Sequence, residues 1–259
     1  MSREFPFLEG GSLLAVAHRG GTGRHPENTI EAFADAIDKG YRYLETDVHA
    51  SSDNVLYAFH DPDLTRVTGV RAAIADLTAE QIDEIRFGSR DYCIPRFNDL
   101  IISWPDARFN IDPKTDAAVQ PLEQALRVQP DLDRFCVGSF SDRRLRYLRR
   151  ELGPRLCTSM GPIDIVRLFV ASKGLPVGSF DAPCAQVPVT FQRSFVTMQF
   201  ATKQFINAAH DRGIDVHYWT IDDRATMNNL IDIGADGIMT DRPDVLRSVL
   251  IERKLWNPS

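Results

Sequence analysis

The chain has 259 residues, 43% of them hydrophobic and 25% charged, with a formal net charge of −6. That is ordinary globular composition, long enough for a large buried core in one barrel-sized domain or two smaller ones. The acidic balance and the lack of a clustered basic stretch exclude a nucleic-acid surface and argue against docking on anionic lipid.

Short β-rich runs alternate with amphipathic helical patterns along the chain. Strands are expected at 13–17, 43–48, 108–111, 134–139, 155–160, 184–187, 215–220 and 237–240. Helices are expected at 29–39, 120–129, 142–151, 163–172, 199–212, 224–233 and 244–255. Thr29 is a good N-cap and Gly40 a good stop for the first helix. This alternation predicts an α/β fold, a closed parallel barrel in preference to an open doubly wound sheet. Residues 61–107 break the rhythm. They follow a hairpin-like extension at 55–60, contain a capping-box start at Thr78-Ala79-Glu80-Gln81, and read as an insertion over the barrel mouth. The stretch 173–183, with two glycines and two prolines, reads as a loop.

Cys93, Cys136, Cys157 and Cys184 are far apart and match no zinc spacing. Three fall in expected strands, where a free cysteine behaves as a small apolar side chain. The N-terminal residues lack a charged-then-apolar leader pattern, and no run approaches the ~20 apolar residues of a membrane span. We therefore expect a cytoplasmic protein without a membrane segment, with homo-oligomerisation left open. Arg143-Arg144 and Arg149-Arg150 read as a solvated helix face.

The chemistry sits where hydrophobic strands run into loops: Ala17-His18-Arg19-Gly20-Gly21, Glu45-Thr46-Asp47-Val48-His49, and His60-Asp61. With period two, Tyr43, Glu45, Asp47 and His49 share one strand face, opposite Leu44, Thr46 and Val48. Two carboxylates on one face repel by about 3 kcal/mol at roughly 5 Å and an effective dielectric near 20. A bound cation removes that cost. Asn110, Asp112 and Lys114 share parity on the next barrel strand, so Asp112 is a candidate third oxygen ligand. Oxygen ligands favour a hard divalent ion, magnesium, calcium or manganese. The plain alternative is that these acids pair with Arg42, Arg96 or Lys114.

His18 and His60 each end an apolar run, and imidazole is the acid–base group of neutral pH. On opposite sides of a phosphorus centre, one can deprotonate the attacking oxygen while the other protonates the leaving oxygen. Arg19 suits a bidentate phosphate grip and Lys114 a point contact. Three carboxylates, a divalent ion and these two cations leave one net positive charge, which a phosphodiester neutralises. Without the ion the same pocket is negative. Asn28 either touches His18 or phosphate or shapes the loop into the first helix; Trp219 and Phe140 are candidate pocket walls, and Gln186 a candidate polar contact. His25, His49, His210 and His217 read as structural histidines, although His217 shares parity with Trp219.

Together these residues resemble the glycerophosphodiester phosphodiesterase family. The match rests on the His18 segment with Pro26-Glu27-Asn28-Thr29, on Glu45 to His49 followed by His60-Asp61, and on Gly234-Ala235-Asp236-Gly237-Ile238-Met239-Thr240-Asp241-Arg242-Pro243. The resemblance implies a TIM (β/α)8 barrel with a small inserted cap after strand two. It implies one divalent cation on Glu45, Asp47 and Asp112, an acid–base pair of His18 and His60, and Arg19 and Lys114 on phosphate. It also implies hydrolysis of a small phosphodiester to glycerol 3-phosphate and an alcohol, through attack by the substrate's own hydroxyl. Two departures stand out: Asp112 where the family commonly has glutamate, and Arg96-Phe97 where it often has small and aliphatic residues. The competing readings are a phospholipase D-like activity on lysophospholipids, with Phe97, Trp104, Phe180, Phe191 and Phe195 as an apolar groove, and a non-catalytic phosphodiester-binding protein.

Overall fold

The computed structural model describes residues 5–9, 11, 13–194 and 196–256. In chain order the first half runs β1 (Leu14–His18), α1 (Ile30–Asp38), β2 (Tyr43–Ala50), β3 (Leu56–Ala58), α2 (Thr65–Thr68), α3 (Ala79–Asp83), α4 (Phe97–Ser103), β4 (Arg108–Pro113), α5 (Val119–Arg127) and β5 (Phe135–Val137). The second half runs α6 (Asp142–Leu152), β6 (Cys157–Thr158), α7 (Pro162–Ala171), β7 (Cys184–Val187), β8 (Thr190–Arg193), β9 (Val196–Gln199), α8 (Lys203–His210), β10 (Asp215–Tyr218), α9 (Arg224–Ile233), β11 (Gly237–Thr240) and α10 (Pro243–Glu252).

Eight parallel strands lie side by side in the order β6-β5-β4-β2-β1-β11-β10-β7. A parallel bridge from Ser159 to Cys184, with the Met160 amide donating to the Cys184 carbonyl at 2.8 Å, joins the two ends. The sheet is therefore a nearly closed (β/α)8 barrel and not an open sheet. Helix starts follow local chemistry: Thr29, Ser141, Thr202 and Asp223 each accept a backbone N–H at the N-cap of α1, α6, α8 and α9.

Alternation along the strands separates two cores. Outward residues such as Ala17, Leu44, Phe109, Ile111 and Val216 join the apolar faces of the helices. Inward residues Leu14, Val16, Tyr43, Cys136, Cys157, Cys184 and Met239 fill the barrel, and Phe7 and Leu8 of the N-terminal turn pack with them. The Tyr43 hydroxyl donates to the Phe7 carbonyl at 2.7 Å and fixes that plug. The inward residues nearer the C-terminal strand ends are polar, and there the site opens.

The chain between β2 and β4 carries its own small core of Tyr57, Phe59, Leu64, Ile74, Ile82, Phe87, Tyr92 and Ile94. The expected capping box on Thr78 and Gln81 is present. Helix α4 is different: Phe97, Leu100 and Ile101 are buried in the main core, so α4 is a helix of the barrel ring. The hairpin β8–β9, with Phe191 opposite Met198, has no counterpart in the sequence-based reading, which ran a helix from residue 199. Its residues are mostly exposed, so it lacks the buried face that makes a strand legible.

The loop after β1 is tied to its glycines. Arg19, Gly20 and Gly21 all have positive φ. A Cβ on Gly20 would lie 2.8 Å from the Ala32 carbonyl carbon and the Phe33 amide nitrogen, whereas one on Gly23 would meet open space. We predict that Gly20→Ala lowers stability by about 2 kcal/mol or more while Gly23→Ala stays within about 0.5 kcal/mol, as read by chemical denaturation.

Candidate active site

A cavity of about 400 Å³ opens at the C-terminal end of the barrel. His18, Arg19, Glu45, Asp47, His60, Asn110, Asp112 and Lys114 line it together, from β1, β2, the loop after β3, and β4 with its loop. Trp219, Phe140 and Gln186 line it as well. Asn28 does not: it is 2% exposed, donates from its side-chain amide to Asp47 at 3.2 Å, accepts from the Thr46 hydroxyl at 2.8 Å, and donates its backbone N–H to the Arg19 carbonyl at 2.8 Å. It stands behind the acid and orients it.

Register explains the convergence. Asp47 on β2 lies opposite Asp112 on β4, and His18 on β1 opposite Glu45. Lys114 Nζ lies 2.7 Å from both Asp47 Oδ1 and Asp112 Oδ2, and Arg19 Nε 3.0 Å from Asp47 Oδ2. Burial alone would push the Asp47 carboxyl up, but Lys114 and Arg19 hold it below its ordinary range. Glu45 accepts the Arg19 backbone N–H at 3.1 Å and lies 3.7 Å from His18 Nε2. Burial, then the Asp47 charge, raises it to about 7. Asp112 is also raised by burial, against the pull of Lys114. The paired alternative is thus partly realised, through Lys114 and Arg19; Arg96 instead pairs with Asp83, away from the cavity.

Each histidine has a carboxylate at its back. His18 Nδ1 lies 2.7 Å from Asp241 Oδ1, and His60 Nδ1 2.7 Å from Asp61 Oδ1. A carboxylate only accepts, so Nδ1 carries the proton and donates in both pairs, and Nε2 is left as the acceptor of the neutral ring. Burial pulls the His18 pKa down, but the Glu45 charge and the Asp241 hydrogen bond leave it raised overall. Asp61, hydrogen-bonded by Arg66, is lowered to about 2 and stays ionised.

Sequence reasoning assigned no role to Asp241, Asp61, Glu27 or Arg66. Pairing of Ala17 with Thr240 places Asp241 beside His18, and that strand adjacency was the available signal. Arg66, on α2, donates to Asp61 and to both Glu27 oxygens, at 3.1 and 2.7 Å, while Glu27 also accepts from Arg19 at 2.9 Å. One guanidinium thereby joins the supports of His60 and Arg19. The histidines read as structural stay out of the cavity: His25 contacts the Tyr92 hydroxyl, His210 contacts Asp236, and His217 packs against Gly237. His49 contacts the His60 carbonyl at 3.0 Å.

Two expectations are corrected. Arg144 and Arg149 are not simply solvated: Arg144 donates to the Pro113 and Lys114 carbonyls at 2.9 and 2.8 Å, and Arg149 to the Thr158 hydroxyl and Ser159 carbonyl at 2.6 and 2.9 Å. Of the expected apolar groove, Phe97 is fully buried and Trp104 and Phe180 pack on the core. Phe191 lines the cavity, and Phe195 lies outside the described residues. The apolar wall consists instead of Ile165, Val166, Phe191, Met198, Phe200 and Trp219.

A barrel whose strand ends bring two carboxylate-backed histidines, buried acids and two cations around one cavity is built for an anionic ester. Comparison with known proteins makes this specific. Residues 18–245 match the model of the glycerophosphoryl diester phosphodiesterase family. The probable glycerophosphodiester phosphodiesterase 2 of Mycobacterium tuberculosis is 35% identical over 260 residues, spanning 97% of this chain and 96% of that protein. A human lysophospholipase D is 25% identical, over 91% of this chain and 85% of that protein. In fold, the chain resembles a glycerophosphoryl diester phosphodiesterase structure from Silicibacter pomeroyi, with TM-score 0.78 and 23% identity over 97% and 99% of the two chains. It also resembles an Oleispira antarctica phosphodiesterase determined with its product sn-glycerol-3-phosphate, with TM-score 0.74 and 22% identity over 92% and 96%. The chain belongs to the glycerophosphoryl diester phosphodiesterase family and is a phosphoric diester hydrolase. Among the described residues, no helix is long and apolar enough to cross a membrane.

Two predictions follow from the charges. The Glu45 pKa is raised above its ordinary 4.5, so the folded state binds this proton more tightly than the unfolded chain does. That contribution is present at low pH and is lost as pH rises from about 4.5 through 7. In chelator, Glu45→Gln should therefore be more stable than the parent at pH 8, and the gap should close near pH 4.5, as measured by melting curves. Arg66→Met should cost up to about 100-fold in turnover, because Asp61 and Glu27 then lose the guanidinium that holds them behind His60 and Arg19. Arg66→Lys should recover part of it, and the effect should fall mainly on kcat.

Proposed function

We propose that the chain hydrolyses glycerophosphodiesters to glycerol 3-phosphate and an alcohol, with His18 and His60 as the acid–base pair. The observation that carries this reading is the pair of histidines, each with a carboxylate on Nδ1, lining the same cavity as Arg19 and Lys114. One imidazole takes the proton of the attacking oxygen at Nε2, and the other gives a proton to the departing alcohol oxygen. With the glycerol hydroxyl as nucleophile, the first step forms a cyclic phosphate and releases the alcohol. Water then opens the ring, with the histidines in exchanged roles. Arg19 and Lys114 hold the phosphoryl oxygens. Both residues line the cavity, anchored from behind by Asp47. Trp219, edge-on to Phe140 at 5.6 Å between ring centroids, walls the alcohol side, and Asn28 acts on substrate through Asp47. The part of the inserted segment before α4, residues 61–96, serves as the cap, contributing Arg66 to the support of His60.

The donor set fits a divalent cation, Mg or Ca, with Mn as a further candidate. Glu45 and Asp47 are buried hard-oxygen donors on one strand face, a set that suits a hard divalent ion. Glu45 and Asp47 would hold the ion, with Asp112 next to them on Lys114. When bound, the ion supplies Lewis-acid polarisation of the phosphoryl group.

The apolar half of the cavity favours a second reading, in which the substrate is an acylated lysophospholipid. Ile165, Val166, Phe191, Met198 and Phe200 offer the surface that an acyl chain needs. The two readings differ in rate on glycerophosphocholine against lysophosphatidylcholine.

The test is product analysis on glycerophosphocholine and glycerophosphoethanolamine, with each metal supplied and then chelated. We expect metal-dependent release of glycerol 3-phosphate. His18→Ala and His60→Ala should each reduce turnover by about 100-fold or more while keeping the fold by circular dichroism. Unchanged turnover in either variant, or full activity in chelator, overturns the corresponding assignment. Tight substrate binding without any product would instead favour the binding-protein reading.

A further inference from the structure

Below the cavity floor lies a cluster that the phosphodiester chemistry does not use. Cys136 on β5, Cys157 on β6 and Cys184 on β7 come two residues before Gly138, Ser159 and Gln186, which line the cavity. Side chains two apart on a strand share a face, so the thiols form the next layer down in the barrel interior. All three residues are at most 1% exposed, and their sulfurs lie within 4.8 Å of one another. Among the described residues this is the one set of three His, Cys, Asp or Glu side chains whose ligand atoms approach so closely. Three sulfurs bound to one ion at about 2.3 Å in a plane stand roughly 4 Å apart. Small side-chain rotations therefore complete the set.

The donors are all soft. Met239, a thioether, packs in the same buried cluster and also lines the cavity. Structural zinc takes four ligands in a tetrahedron, whereas soft sulfur ligands also select monovalent copper. Copper(I) is content with three sulfurs and needs no water in a dry interior. Charge supports this choice. Arg149 donates to the Thr158 hydroxyl and Ser159 carbonyl beside Cys157. If copper(I) displaces two thiol protons to solvent, the cluster is left with one negative charge, which the Arg149 guanidinium balances. Burial holds the Cys136 and Cys157 thiols well above their ordinary range, so they stay neutral until an ion arrives.

We propose that Cys136, Cys157 and Cys184 form a buried trigonal copper(I) site beneath the active-site floor, reached through the cavity past Met239. The floor above it is thin on the β5 side: Gly138 has no side chain, and the Gln186 amide, donating to Asn110 at 2.8 Å, spans the gap.

The experiment titrates the Cys93→Ser chain with copper(I) under anaerobic, reducing conditions. That substitution removes the one exposed cysteine from the count. We expect one copper retained per chain after gel filtration against bicinchoninate, with sulfur neighbours only in its X-ray absorption spectrum. Cys136→Ala, Cys157→Ala and Cys184→Ala should each weaken retention at least tenfold. Circular dichroism of the copper-free variants reports independently that the barrel has folded. The absorption spectrum needs no further variant. No retained copper, oxygen or nitrogen neighbours in place of sulfur, or retention that survives loss of the thiols overturns the proposal, whatever the substrate assays show.

Discussion

Asp47 is the charge around which the active end of this barrel is organised. It is 1% exposed, yet its carboxylate receives Lys114, Arg19 and the Asn28 amide. A lone buried carboxylate would take up a proton; a buried carboxylate with two cations and an amide stays ionised and holds them in place. Those same cations face the cavity. The interaction that keeps Asp47 charged therefore also fixes Arg19 and Lys114 in the cavity wall. Glu45, two residues earlier on the same face, shares the burial, and burial together with the Asp47 charge raises its pKa against the pull of His18, Lys114 and Arg19.

The barrel interior is layered around this charge. Phe7 and Leu8 close the far end, the three thiols and Met239 fill the middle, and polar side chains occupy the open end. Strand tilt lets one row of register partners cross these layers: His18, Glu45, Asn110, Cys136 and Cys157 follow one another across neighbouring strands. Charge thus gives way to thiol along a single hydrogen-bonded row.

Support for the site comes from outside the barrel as well. Arg66 reaches from the inserted segment to Asp61 and Glu27, and so to His60 and Arg19. Arg144 reaches from α6 to the carbonyls of Pro113 and Lys114, fixing the loop that carries the lysine. Arginine suits both tasks because its planar fork satisfies several acceptors at once. Helix periodicity shows only that Arg144 sits on a polar stripe. Whether that stripe meets water or the carbonyls of a neighbouring loop depends on what lies beside it.

By itself, the sequence determined the strand–helix alternation, the faces of the strands, and the identity of the groups able to do chemistry. Those properties are local: period-two and period-3.6 burial, caps and turn residues act within a few positions. Glu45 and Asp47 could be placed on one face because they share one strand. Tertiary structure alone decided which distant groups met. Asp241 stands behind His18 because β11 lies beside β1, and Asp112 beside Asp47 because β4 lies beside β2. Closure of the sheet likewise gathered three cysteines that are far apart in sequence into one buried cluster. The exposed β8–β9 hairpin, having no buried face, left too little pattern to read. Partners in a barrel are set by strand order and register, and these emerge only when the whole ring closes.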